Sequence, residues 1–242
     1  MTQNIYDDPE FFAGYGRLRR SIEGLDGGAE WPALRALLPP LQGLRVVDLG
    51  CGYGWFCRWA RDEGAAAVLG LDVSAKMLDR ARSMTADSAI AFARADLETV
   101  ALPEAGFDLA YSSLAFHYIA DLDALLRKVH RALVPGGRLV FSMEHPIYTA
   151  PVRADWLVDA DGRRTWPVNG YLAVGPRRRD WIVAGVIKHH RTLGTVVNRL
   201  IGCGFAIRRV EEWGPTDHQI AAYPELAEER ERPIFVLVAA QR

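Results

Sequence analysis

Asp48, Gly50, Gly52 and Gly54 are the residues in this chain whose types and spacing most directly imply chemistry. They close a short apolar run, Arg45-Val46-Val47-Asp48-Leu49, and lead into Trp55-Phe56-Cys57-Arg58-Trp59-Ala60-Arg61, which reads as the start of a helix. A buried strand that turns on glycines into a helix gathers backbone N–H groups and a helix N-terminus at one point. Glycine there admits φ > 0 and lets a ligand approach the main chain. A dinucleotide fingerprint requires G-x-G-x-x-G. Here the spacing is G-x-G-x-G, and Trp55 stands where the third glycine would fall, which argues against a pyrophosphate on the helix end. A second apolar run, Ala66-Ala67-Val68-Leu69-Gly70-Leu71, ends in Asp72, whose carboxylate can accept both hydroxyls of a ribose. The set suits a nucleoside without a phosphate chain.

The elements that must hold these residues alternate. Strands are expected at 45–49, 67–71, 90–94, 107–112 and 138–143, with helices at 55–63, 75–84 and 121–133. Such alternation implies an α/β fold with parallel strands and right-handed crossovers. Ahead of it, Pro9 to about Ile22 reads as one helix with Asp8 as N-cap, and Glu30–Leu38 as another, stopped by Pro39-Pro40. The stretch 150–180 changes character, with three prolines, two tryptophans and the runs Arg163-Arg164 and Arg177-Arg178-Arg179. It reads as an inserted lid with Asp161-Gly162 as a hairpin tip, its arginines available to an anionic acceptor. Trp181–Val186 is strand-like, Thr192–Gly202 helical, and Phe205–Trp213 and Pro233–Ala240 are late strands. The expected organisation is a helical cap over 1–40 and one domain over 41–242, with 146–190 as the lid.

In order along the chain, Val47-Asp48-Leu49-Gly50-Cys51-Gly52-Tyr53-Gly54, Gly70-Leu71-Asp72-Val73-Ser74, Ala95-Asp96-Leu97, Phe107-Asp108-Leu109-Ala110-Tyr111-Ser112-Ser113 and Leu133-Val134-Pro135-Gly136-Gly137-Arg138-Leu139 resemble the motifs of class I S-adenosylmethionine-dependent methyltransferases, small-molecule type. The likeness spans roughly residues 40–145. It implies a Rossmann-like, doubly wound, seven-stranded sheet in the order 3-2-1-4-5-7-6 with the seventh strand antiparallel. It implies S-adenosyl-L-methionine as cofactor, S-adenosyl-L-homocysteine as product and a small-molecule methyl acceptor. Asp72 would be the ribose acid and Asp96 would meet the adenine amino group beside Leu97. Cys51, Val73, Met77, Ser112 and Ser113 would complete the cofactor pocket with Asp48, Gly50, Gly52 and Gly54. Cap helices of this kind cover the pocket in the family, which brings Tyr6, Tyr15 and Arg19 toward ligand.

Composition narrows the partners. The net charge of −1 on 242 residues offers no bulk field for nucleic acid or an anionic membrane. No uncharged apolar stretch approaches the roughly 18 residues of a membrane span. Three cysteines without a C-x-x-C pair suggest neither a disulfide framework nor a zinc site, so a reducing, cytoplasmic setting without bound metal is expected.

Methyl transfer from a sulfonium needs alignment and exclusion of water, and a base only where the acceptor keeps its proton. His145, in Glu144-His145-Pro146 after the fifth strand, is the first choice for that base, with Glu144 beside it and Tyr148 as acceptor contact. His117 follows the fourth strand as a second choice. His189 and Arg191, ahead of a helix, are further acceptor contacts. A nicotinamide-dependent oxidoreductase would need a third fingerprint glycine and a Tyr-x-x-x-Lys pair, and both are missing. A non-catalytic cofactor-binding module would have a plugged acceptor pocket.

Overall fold

A computed structural model describes residues 3–242; the first two residues of the expected cap lie outside it. In chain order the strands are β1 (Arg45–Leu49), β2 (Ala67–Asp72), β3 (Ile90–Arg94), β4 (Phe107–Ser113), β5 (Leu133–Glu144), β6 (Leu157–Val158), β7 (Arg164–Thr165), β8 (Gly175–Trp181), β9 (Val183–His190), β10 (Ala206–Trp213) and β11 (Phe235–Gln241). The helices are α1 (Pro9–Tyr15), α2 (Arg19–Ile22), α3 (Trp31–Ala36), α4 (Trp55–Asp62), α5 (Ala75–Ser83), α6 (Leu122–Ala132), α7 (Pro146–Thr149), α8 (Leu193–Gly202), α9 (Asp217–Ala222) and α10 (Glu228–Glu231).

The main sheet runs β3-β2-β1-β4-β5-β11-β10. β1 pairs in parallel with β2 and β4, β2 with β3, and β4 with β5, while β11 lies antiparallel between β5 and β10. This is the expected order, with β10 and β11 in the sixth and seventh places. Strand order reverses at β1, so a crevice opens above the carboxyl ends of β1 and β4. Side chains alternate across the sheet. Val47 and Leu49 join the core under α6 and α8, while Val46 joins the opposite core with Trp31, Phe56 and Cys57 of α3 and α4.

The long N-terminal helix expected from sequence is interrupted between α1 and α2. Gly14 and Gly16 weaken it, and the packing shows why glycine stands at position 14. A Cβ there would lie 2.4 Å from Cγ2 of Ile182. Ile182 is the tip of the β8–β9 hairpin, where Trp181 pairs with Val183 and Ile182 itself adopts φ +64°. The strand expected over Trp181–Val186 therefore breaks at a tight turn that its apolar composition conceals. Trp181 packs edge-on against Phe11 and Tyr15. Gln3 exchanges hydrogen bonds with Gly185 and Ile187. Residues from the N-terminal segment and the hairpin thus meet above the strand tips.

Asp161-Gly162 lies in the turn joining β6 to β7. Two of the insertion's arginines act as struts. Arg177 donates to the carbonyls of Ala150, Gly170 and Ala173, and Arg179 to those of Thr149, Pro151 and Val152. The guanidinium of Arg232 sits among the rings of Tyr148, Trp156 and Trp166 at 4.9, 5.3 and 4.3 Å.

Candidate functional site

A cavity of about 440 Å³ lies over the tips of β1, β2, β4 and β5, within the size range of small-ligand sites. Its floor is the glycine turn. Gly50, Gly52 and Gly54 have φ of +87°, +51° and +70°, and Gly50 N and Cys51 N donate to Leu71 O, which ties the turn to β2. Gly52 is open to the cavity, because a Cβ there would meet no protein atom within 4 Å. Gly54 has a different task. It precedes α4, a Cβ on it would lie 2.7 Å from the Phe92 ring, and it does not line the cavity.

Asp72 ends β2 and lines the cavity. Its Oδ2 accepts from Gly52 N and its Oδ1 from Ser74 N, both at 2.9 Å, so the acid is clamped to the loops of both strands. Burial raises its pKa against these lowering bonds. Ser74 caps α5 through Met77 N, and Asp7 in turn accepts from Ser74 Oγ and Lys76 N. The N-terminal segment is thereby fastened beside Asp72. Val73, Met77, Asp96 and Leu97 line the same end. Cys51 and Ser113 line the cavity, whereas Ser112 is fully buried beneath it, donating to Leu49 O at 2.7 Å.

Asp48 is buried in the floor and accepts a hydrogen bond from Cys57 Sγ at 3.4 Å. Burial lifts its pKa from 3.8 to about 7. A carboxylate raised in the folded state carries no penalty below its unfolded pKa, accumulates one as pH rises, and carries it in full above its folded pKa. Asp48→Asn is therefore expected to leave stability nearly unchanged at about pH 4 and to raise it by on the order of 4 kcal/mol at about pH 8. Thermal melts of the two proteins at both pH values check this. An equal difference at both pH values would count against the assignment. The same cavity is lined by the Arg20–Glu30 ion pair and by Trp55 and Tyr111. Trp55 Nε1 is buried without a hydrogen-bond partner among the described residues, and Tyr111 Oη is buried near Ser113.

At the β4 and β5 tips the structure differs from expectation. His145 is buried but does not line the cavity. Successive residues of a strand face opposite ways, so Glu144 turns inward and His145 outward. His145 Nδ1 accepts from Ile147 N at the start of α7, and Nε2 meets Glu212 at 2.7 Å, so its partner is not Glu144. Burial holds its pKa below the usual value despite Glu212. His145→Ala is expected to cost about 1 kcal/mol as a lost cap, and His145→Asn much less, with S-adenosylhomocysteine affinity unchanged in both. Melting curves and calorimetry measure this; a collapse of ligand binding in the Asn variant would contradict it.

His117 does line the cavity. Its Nδ1 accepts from Glu144 N at 3.2 Å, and burial pushes its pKa down to about 4. The ring is therefore neutral with its proton on Nε2, a donor and not a base. Tyr15, Arg19 and Tyr148 line the cavity; His189 and Arg191 do not. Arg191 is buried and donates to the carbonyls of Ile119 and Ala120, bracing the loop after β4. Lys188, which sequence reading passed over, is buried in the cavity wall against Glu144. The signal for it is its phase: it falls between Val186 and His190 on the buried face of β9. Tyr6, expected from the cap, lines this end together with Tyr118. Among the described residues no group of three or more His, Cys, Asp or Glu is placed to hold a metal ion.

Comparison with known proteins agrees with this architecture. A methyltransferase domain family matches residues 47–141. The crystal structure of an S-adenosylmethionine-dependent methyltransferase from Mesorhizobium loti is 63% identical, with a TM-score of 0.88, covering 90% of this chain and 100% of that one. A Haemophilus influenzae protein of uncharacterised function is 34% identical over 99% of this chain and 97% of its own length. A 110-residue stretch is 42% identical to the malonyl-acyl-carrier-protein O-methyltransferase of Enterobacter lignolyticus, spanning 46% of this chain and 43% of that one. The chain belongs to the S-adenosylmethionine-dependent methyltransferases, and S-adenosylmethionine is its cofactor.

Proposed function

We propose that this methyltransferase moves a methyl group onto an oxygen, nitrogen or carbon atom of a small molecule. The observation that carries the reading is one continuous cavity. It runs from Asp72 and Gly52 to Glu144 and Lys188, and Tyr6, Tyr15 and Trp181 close it from the cap and the β8–β9 hairpin. A site roofed by two segments of its own chain suits an acceptor that enters whole, and the roof excludes water from the transfer.

The residues present fit the cofactor. Asp72 would receive the ribose hydroxyls, with Asp96, Leu97 and Met77 around the adenine. The open space above Gly52 admits a ligand that a Cβ would displace. Asp48, desolvated and without a cation among the described residues, suits a ligand that carries positive charge. The unpartnered Trp55 Nε1 suits the polar amino-acid tail. Bound S-adenosylmethionine supplies an electrophilic methyl on a sulfonium; the chain's part is to hold, orient and dry the site. His117 contributes a donor N–H on the acceptor side.

The acceptor of the malonyl-acyl-carrier-protein enzymes is not carried over to this chain. The likeness to them spans less than half of either protein. The cations lining the cavity, Arg19, Arg20 and Lys188, already face Glu23, Glu30 and Glu144. A plugged acceptor pocket, which a non-catalytic module would show, is not what lies beside the glycine turn.

The test is transfer from S-adenosylmethionine labelled in its methyl group to a cell extract separated into small-molecule and macromolecular fractions. Label is expected in the small-molecule fraction. Label confined to nucleic acid or protein would overturn the proposal.

A further inference from the structure

Glu144 closes β5 and is only 8% exposed. One carboxylate oxygen contacts Lys188 Nζ. The other, Oε2, is buried without a hydrogen-bond partner among the described residues, in a residue that lines the cavity. A carboxylate offers about four acceptor sites, and leaving a buried one unmet costs about 1–3 kcal/mol or more. Such a group at a cavity wall is matched by a donor that arrives with the ligand.

The surrounding groups restrict what that donor belongs to. The Glu144–Lys188 pair is neutral as a unit. An anionic acceptor would face the carboxylate, and a cationic one the ammonium. The walls are rings: Tyr6, Tyr118, Tyr148 and Trp181, with Lys188 Nζ 4.8 Å over the Trp181 ring. Burial pushes the phenols of Tyr6 and Tyr118 well up and that of Tyr148 to about 12, so these rings are neutral donors. His117 already spends its free lone pair on Glu144 N. Among the described residues at this end, Glu144 remains as the group able to take a proton.

We propose that this end of the cavity receives a flat, uncharged acceptor bearing an acidic O–H, of the phenol or enol class, and that Glu144 is the base for its methylation, with Lys188 as positioning residue. The inference rests on the methyl-transfer reading of the cavity. Glu144 Oε2 takes the proton as the acceptor's O–H bond breaks, becoming a neutral acid. The oxygen keeps that electron pair and forms its bond to the methyl carbon. The pair of the breaking C–S bond returns to sulfur and cancels its positive charge.

The experiment uses the full chain saturated with S-adenosylhomocysteine, at a pH below the phenol's own pKa, and three probes on one nitrophenyl frame: 4-nitrophenol, 4-nitrobenzoate and 4-nitrobenzylamine. Calorimetry is expected to show 4-nitrophenol binding at least about 10-fold tighter than the two charged probes, the size of one charge-assisted hydrogen bond. Neutral and ionised 4-nitrophenol absorb at different wavelengths. Beside Glu144 the bound probe should stay neutral. In Glu144→Gln, with Lys188 left uncompensated, the bound probe should ionise, and Lys188→Met should keep it neutral. Melting temperature and S-adenosylhomocysteine affinity control for folding. Failure of S-adenosylhomocysteine to bind the parent protein would remove the underlying reading. Intact S-adenosylhomocysteine binding would overturn this proposal alone in three cases: equal affinity for 4-nitrobenzoate, no binding of any probe, or one ionisation state in parent and Glu144→Gln alike.

Discussion

Asp72→Ala lowers affinity for S-adenosylhomocysteine by about 100-fold or more, the loss of about 3 kcal/mol from two hydroxyl hydrogen bonds to one carboxylate. The acid is held in place before ligand arrives, by Gly52 N and Ser74 N at 2.9 Å, so little ordering cost falls on binding. The same bonds mean that the alanine variant also loosens the turn between β1 and α4. Asp72→Asn keeps the packing and one of the two clamping bonds but sets its NH2 against the other backbone N–H, so it should lose most of the affinity without leaving a cavity. Calorimetry on all three proteins measures this, and equal affinity in parent and alanine variant would remove Asp72 from the site.

Gly52→Leu is expected to abolish cofactor binding while the fold persists. The position has φ +51°, which costs a side chain about 1–2 kcal/mol. A Cβ there meets no protein atom within 4 Å, so the side chain grows into the cavity and not into the core. Gly50→Ala should behave in the opposite way. At φ +87° its Cβ would lie 2.5 Å from Ala115 Cβ, which forces the loop after β4 to move and destabilises the fold by about 2–3 kcal/mol. Melting curves and S-adenosylhomocysteine titrations on the pair separate a blocked site from a broken turn. A Gly52→Leu protein that still binds the ligand would show that the cofactor does not lie over this glycine.

Both variants act on a turn that is legible in the amino-acid sequence by itself. An apolar run ending in acid and glycines, a second run ending in Asp72, and the alternation of strand with helix are local patterns. Local spacing decides where strands end and which backbone positions need φ > 0. The sheet order and the places of Asp96 and Leu97 are what the resemblance of these motifs implies, and Asp48, Gly50, Gly52, Asp72, Asp96 and Leu97 line one cavity over a sheet of that order.

What the tertiary structure alone decided is which way the remaining side chains face and whom they meet. His145 looks like a base by its position after β5, yet its neighbour in space is Glu212 of β10, and the inward place belongs to Glu144. Arg177, Arg179 and Arg191 look like anion receptors by composition, but backbone carbonyls of the insertion and of the loop after β4 take up their donors. Lys188 meets Glu144 only because the β8–β9 hairpin folds back over the strand tips, with Gly14 leaving room for Ile182. Such pairings join residues tens of positions apart. Periodicity of two or 3.6 residues reports burial along one element; partners contributed by another element depend on how the chain packs.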